Sequence, residues 1–345
     1  MIAELCLFES GEEKLWDAYV ERTPGGLQSQ LSGWRRVVAS AYGHPSYYLW
    51  VRDGTTVRGV LPLIFIQSRL FGRSLVSMPF LDDGGSLADD DVIRDRLLTG
   101  ALALYERLGA DSLDLRYAFP FDRGTSPFGK KVTLRLDLGV DEQRMWTGFD
   151  AKLRNQIRKA GKSGLTVRWG GEDLLKDFYS VFSVNMRDLG SPVHGLGFFE
   201  AVLKEFPGQS RLILIHLDEK PIGGGLLLSH KETLMMPWAS SLRSHFSLCP
   251  NYLLYWEALR WGCKNGFKRF DFGRSTPGSG TYDFKKNWGA REEPLYWQLH
   301  SRKAEPEPGL QSESPLFRLA GRVWKRIPLG VTRWIGPVLR GQITN

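Results

Sequence analysis

Gly266-Phe267-Lys268-Arg269-Phe270-Asp271-Phe272 matches in pattern an earlier stretch, Gly109-Ala110-Asp111-Ser112-Leu113-Asp114-Leu115. In each, a long amphipathic segment runs into the glycine, which as the residue closing a helix takes the left-handed conformation. A short strand follows, with an aspartate between two large apolar residues. What precedes the helix repeats as well. Tyr47–Arg52, the Asp53-Gly54 turn and Thr56–Ile66 read as a hairpin, with Ser74–Met78 as a further strand. Leu212–Leu217, the turn Asp218-Glu219-Lys220-Pro221 and Ile222–Ser229 read the same way, followed by Thr233–Ser240. The period is too long for a solenoid, so the pattern predicts a tandem duplication of one α/β (α+β) domain, each copy a mixed, mostly antiparallel sheet flanked by helices.

A length of 345 residues fits two domains, each able to bury its own core. The expected boundaries are 1–139 for the first domain, 140–300 for the second, 301–315 for a linker and 316–345 for a basic helical tail. Cys6, Cys249 and Cys263 lie far apart without CxxC spacing, which supports neither a disulfide framework nor a metal site. The N-terminus carries Glu4, Glu9, Glu12 and Glu13 rather than a signal-peptide pattern, and no run approaches the roughly 20 apolar residues of a membrane span. A cytoplasmic protein is the expectation.

The net charge of +8 is concentrated in the tail. Residues 301–345 hold eight basic side chains against three acidic ones, or five of the eight net charges. Leu316, Leu319, Val323 and Ile327 fall on one side of a helix and Arg318, Arg322, Lys325 and Arg326 on the other. Such a segment suits the anionic surface of an inner membrane, or docks on the protein's own second domain. The basic residues form no recognisable nucleic-acid module, so DNA is not an expected partner and tRNA enters only as a carrier of an acyl group.

Two further clusters mark the second domain. Lys152, Arg154 and Arg158 flank the buried stripe Leu153, Ile157 and Ala160, a solvated helix face or a phosphate-binding one. After the second aspartate strand, Gly273-Arg274-Ser275 leads through a glycine-rich turn to Tyr282, Phe284, Lys285 and Trp288. Ligands gather beyond the carboxyl ends of strands in such sheets, which makes this segment the expected site. The competing reading buries Phe284 and Trp288 and leaves the lysines solvated.

The order and spacing of these segments resemble the FemAB-like branch of the GNAT acyltransferase superfamily over roughly residues 5–300. The resemblance rests on Arg269–Ser275 with Gly280–Lys285 and Trp288-Gly289, on Leu153–Ala160, and on Asn251–Leu259, which contains Tyr252. Together with the basic tail, it is similar to the FemAB-like proteins of exosortase and PEP-CTERM exopolysaccharide loci. The resemblance implies transfer of an aminoacyl or acyl group, from aminoacyl-tRNA or acyl-CoA, to an amine of a glycan- or lipid-linked precursor; no cofactor is otherwise implied. It casts Lys285 as stabiliser of the oxyanion beside the apolar Phe284; for the same chemistry Tyr282 is a candidate donor to the carbonyl and Asp271 a candidate base, with a strand carboxylate the favoured reading of Asp271 because Asp114 holds the equivalent place. Arg274, Ser275, Trp288, Tyr252 and Trp238 are the expected substrate contacts, and His194 and His245, each on an expected loop, are further candidate bases or plain surface histidines. In the first domain, Asp82 is the candidate for holding an acceptor, and Asp83 a turn residue. One feature departs from acyl-CoA-using GNAT proteins: Ser241–Pro250, where their glycine-rich pyrophosphate turn stands, contains no glycine.

Overall fold

The helices Asp91–Arg107 and Pro250–Lys264 run into Gly109 and Gly266, at φ 57° and 79°, in a computed structural model. The structure describes residues 3–120, 131–139, 141–302 and 315–344, without the side chains of 315–317. Most of the expected linker, residues 303–314, lies outside the described residues.

In chain order the first half contains β1 (Glu4–Leu7), α1 (Glu13–Arg22), α2 (Gly33–Tyr42), β2 (Leu49–Asp53), β3 (Thr56–Leu61), β4 (Ile64–Ser68), β5 (Gly72–Val76), β6 (Leu87–Ala88), α3 (Asp91–Arg107) and β7 (Ser112–Tyr117). The second runs through β8 (Val132–Asp137), α4 (Glu142–Gly148), α5 (Ala151–Lys162), β9 (Leu165–Gly170), α6 (Leu175–Leu189), α7 (Leu196–Glu205), β10 (Ser210–Leu217), β11 (Lys220–His230) and β12 (Thr233–Ser241). It continues with α8 (Pro250–Lys264), β13 (Arg269–Ser275), α9 (Gly280–Lys286), β14 (Arg291–Pro294), β15 (Tyr296–Ser301), α10 (Pro315–Trp324) and α11 (Leu329–Gly341). The expected strand Thr56–Ile66 is divided at Pro62-Leu63, and its halves join different sheets.

Two compact units result, 1–130 with 294–317 and 338–345, and 131–293 with 318–337. The first holds two four-stranded sheets, β1-β2-β3-β6 and β15-β7-β5-β4. The second holds one seven-stranded sheet, β14-β8-β13-β12-β11-β10-β9. In both, the strand that follows the glycine-closed helix pairs in parallel with its neighbour, β7 with β5 and β13 with β12. Its other edge is covered antiparallel by a strand from across the expected boundary: β15 completes the first unit and β8 the second. The physical reason is edge satisfaction, because an uncovered β7 or β13 would leave a row of main-chain groups unpaired.

Helix ends are set locally. Asp90 accepts from the Ile93 N–H at 2.8 Å and Asp150 from the Leu153 N–H at 2.6 Å, caps worth about 1 kcal/mol each. Behind its cap, α5 buries the expected stripe Leu153, Ile157 and Ala160 with Leu254 and Leu259 of α8 on one face of the large sheet. On the other face α6 and α7 bring Phe178, Phe198 and Phe199 together at ring separations of 5.2–5.4 Å.

Candidate active site

The parallel pairing of β12 with β13 ends early. It joins Thr233–Met235 to Arg269–Asp271, yet β12 continues to Ser241 and β13 to Ser275. Each strand carries an extra residue just past that point. Against β11, the register shifts between Leu226 and Leu228, placing a bulge in β12 at Met236-Pro237. Against β8 it shifts between Asp271 and Arg274, placing one in β13 at Phe272-Gly273. Proline has no N–H for the ladder and suits a bulge, and Gly273 takes φ 73°, a conformation open chiefly to glycine. Two bulges beyond the last shared pair bend both strands, and the ladder between them does not resume toward their carboxyl ends. The shift also changes faces: Met236 packs with the α5–α8 core, whereas Trp238 lies with His194, Phe198 and Phe199 on the α6–α7 side.

The motif residues hold the bulge in β13. Asp271 Oδ1 accepts from the Gly273 N–H at 2.7 Å and from the Thr133 hydroxyl at 2.6 Å, while Oδ2 pairs with Arg135 Nε at 2.8 Å. Asp114 in the first unit is likewise paired to an arginine, Arg116, at 2.8 Å. A carboxylate bound through both oxygens and tied into an ion pair is a sheet-fastening group, which fits the strand-carboxylate reading of Asp271 rather than the general base. Lys285 is buried, and Nζ donates to the carbonyls of Gly273 at 2.8 Å and Arg274 at 2.9 Å. The aspartate thus clamps the main chain before the bulge and the lysine after it. Thr133 and Arg135, which sequence reasoning missed, lie on β8, a strand assigned to the other domain; the alternation Val132-Thr133-Leu134-Arg135 was the available signal.

Around the clamp, Ser275 is buried and its Oγ makes no hydrogen bond among the described residues. Ser279 caps α9 by accepting from the Tyr282 N–H at 3.3 Å. Tyr282 donates its hydroxyl to Glu292, the main cause raising its phenol pKa. Phe284 packs edge-on to Tyr252 and Tyr255, both at 5.3 Å, and Trp288 is fully buried behind them. Burial raises the pKa of Tyr252 and of Tyr255. Trp288 is therefore a core residue, which corrects its expectation as a substrate contact; Phe284 stays half-buried.

The other candidates lie farther out. Lys152 and Arg158 are exposed on α5, with Arg158 5.3 Å over the Trp146 ring, and Arg154 is half-buried. This helix meets the segment before α8, where Cys249 Sγ donates to Gln156 Oε1 at 2.8 Å. That glycine-free segment forms a short 3-10 helix, Arg243–Leu248, that ends in Cys249 at φ 62°. His194 is buried and stacked 4.3 Å from Phe198, a core histidine rather than a surface one. Asp82 is half-buried in the first unit, its carbonyl accepting from Trp297 Nε1 at 3.0 Å, and Asp83 accepts from the Ser29 hydroxyl at 2.7 Å. No group of His, Cys, Asp and Glu suited to a metal ion occurs among the described residues.

Residues 148–286, which contain α5 through α9, match the model of the acetyltransferase (GNAT) domain. No curated protein matches the chain in sequence. Among solved structures it is similar to FemX, at 16% identity and a TM-score of 0.68 over 92% of this chain and 100% of that one. It is similar also to L-PGS from Bacillus licheniformis, at 14% identity and 0.56 over 93% and 100%. A tandem GNAT protein from the clavulanic acid biosynthesis pathway superposes at 12% identity and 0.57 over 88% and 100%. In fold, then, this chain is similar to FemX and to a tandem GNAT protein, and the part of it that matches the acetyltransferase (GNAT) domain lies in the second unit.

Proposed function

We propose that the protein is an N-acyltransferase that moves an aminoacyl or acyl group from an activated ester or thioester to an amine of a glycan- or lipid-linked precursor of the cell envelope or an exopolysaccharide. The break in the ladder between β12 and β13, with one bulge on each strand, carries this reading. A donor carbonyl seated there meets main-chain groups that the two strands no longer give to each other. Attack by the amine places negative charge on that oxygen, and fixed dipoles and a buried cation stabilise it without reorganising, by several kcal/mol in a water-poor site; collapse then breaks the ester C–O or thioester C–S bond, and the proton lost by the amine goes to the departing alcohol or thiol. Lys285 serves as the fixed charge, anchored by Gly273 and Arg274, and the buried Ser275 hydroxyl as a nearby donor. Tyr282 and Phe284 border the donor beside Tyr252. Arg274 and the α5 residues Lys152, Arg154 and Arg158 take its phosphates or those of the acceptor.

Aminoacyl-tRNA and acyl-CoA are both admitted as donors. The 3-10 helix before α8 argues against the usual pyrophosphate turn and weights the reading towards an ester donor. A second reading, a non-catalytic binding or scaffold protein of exopolysaccharide synthesis, draws on the anchored state of Lys285 and on that missing turn. Thermal-shift titration of wild type and Lys285→Ala with acetyl-CoA, longer acyl-CoAs, aminoacyl-tRNA and UDP-sugars separates them. A true donor at a hundred times its dissociation constant adds about 2.7 kcal/mol of apparent stability. The transferase reading expects one donor to stabilise the wild type and to do so less for the variant; no response to any donor supports the scaffold.

A further inference from the structure

The two C-terminal helices turn their apolar rows away from the protein. α10 meets the second unit at Gly321, where the main chains come so close that a Cβ on Gly190 would lie 2.8 Å from the Gly321 carbonyl oxygen. α11 meets it at Gly336, where a Cβ would lie 3.0 Å from a Val193 methyl, and through Arg333, whose Nε donates to the Ser183 hydroxyl at 2.9 Å. Thr332, between them, is buried. The docked side thus centres on Gly321, Thr332 and Gly336, with Trp324, Ile335 and Leu339 half-buried beside them. Outside, Leu319 and Val323 of α10 are each 56% exposed, and Val331, Trp334 and Val338 of α11 are 40%, 78% and 63% exposed. These rows follow i, i+4 and i, i+3, i+7 spacing, so each occupies one side of its helix.

A helix that only packs on its own domain buries its apolar row; these two leave Leu319, Val323, Trp334 and Val338 largely exposed. Basic side chains accompany the outward rows. Arg318, Arg322, Lys325 and Arg326 are exposed, none has an acidic partner among the described residues, and residues 316–345 contain no Asp or Glu.

We propose that the outward side of α10 and α11 docks on an anionic lipid bilayer, with the apolar rows entering the headgroup boundary and the basic residues meeting lipid phosphates. An amphipathic, cationic segment with an exposed tryptophan has the chemistry of an interfacial anchor. No helix among the described residues is long and apolar enough to cross a membrane, so the attachment is peripheral. This inference goes beyond the transferase reading and stands without it, because a chain inactive in transfer still docks.

The test is flotation of the full-length protein with phosphatidylcholine vesicles and with mixed phosphatidylcholine–phosphatidylglycerol vesicles. The wild type is expected to float with the mixed vesicles only, and less as salt rises. Arg322→Glu and Arg326→Glu are expected to weaken partitioning roughly fivefold or more per site, and Trp334→Ser to weaken it at unchanged charge. Circular dichroism and unfolding curves establish that each variant is folded; exposed positions leave stability nearly unaltered. Equal flotation with both lipid mixtures, equal flotation of the charge variants, or no flotation at all overturns the proposal. So does concentration-dependent self-association that Trp334→Ser abolishes while vesicle binding is absent, which would assign the surface to a second copy of this chain.

Discussion

At the scale of single residues, the aspartate that marks both repeats is a fastening for its strand. Asp271 satisfies the Gly273 amide, the Thr133 hydroxyl and the Arg135 guanidinium at once, and Asp114 takes Arg116. Removing one partner of a mostly buried ion pair leaves the other charged and unpaired, here with an amide stranded as well. Asp271→Ala is therefore expected to cost about 2–4 kcal/mol in urea denaturation. A loss below half a kilocalorie would mean that the bulge stands without it. Asp114 in the earlier repeat already pointed to a strand carboxylate; what the sequence did not reveal is that the partners of Asp271, Thr133 and Arg135, come from a strand far away in sequence.

At the scale of elements, the site is a product of two irregularities in otherwise regular strands. Gly273 at φ 73° is the tightest local requirement, since an L side chain in the left-handed region costs roughly 1–2 kcal/mol. Gly273→Ala is expected to lose that much stability and also to reduce donor-induced thermal stabilisation, because a straighter β13 closes the break in the ladder. An alanine variant that keeps the full donor response would separate the bulge from donor binding. Pro237 announces its bulge in the sequence, as a proline inside a strand must, whereas Gly273 reads equally well as the strand's end.

At the scale of the whole molecule, three histidines couple the fold to pH. Burial pushes the pKa of His44, His216 and His300 below the ordinary 6.5, and the Arg168 charge adds to the effect at His216 against Asp177 and Glu219. These imidazoles stay neutral in the folded protein at a pH where the unfolded chain already takes up protons. Stability is therefore full above 6.5 and falls as the pH descends towards the lowered folded values. A melting temperature that declines below that value is expected, with a shallower decline in His216→Leu, the variant of a fully buried ring. A melting temperature unchanged across the interval would show that the histidines are not protonated differently on unfolding.

The tandem architecture was legible in the sequence because its signals are local: a glycine that closes a helix, hairpin turns, and strands whose alternation survives in each copy. The stripe on α5 and the amphipathic tail were legible for the same reason. The exchange of β8 and β15 between units was not, because a strand's own residues specify its pairing edges only weakly; the choice is made by which sheet has an edge to cover. Nor was the environment of the motif side chains. Lys285 and Asp271 were identifiable as special, yet their roles as the two clamps of one bulge depend on main-chain positions that only the folded sheet brings within hydrogen-bond distance. The sequence by itself determined the helical periodicity and charge of the tail. The tertiary structure alone decided which side of it faces out, because the close backbone contact at Gly190 and Gly321 selects the docked side.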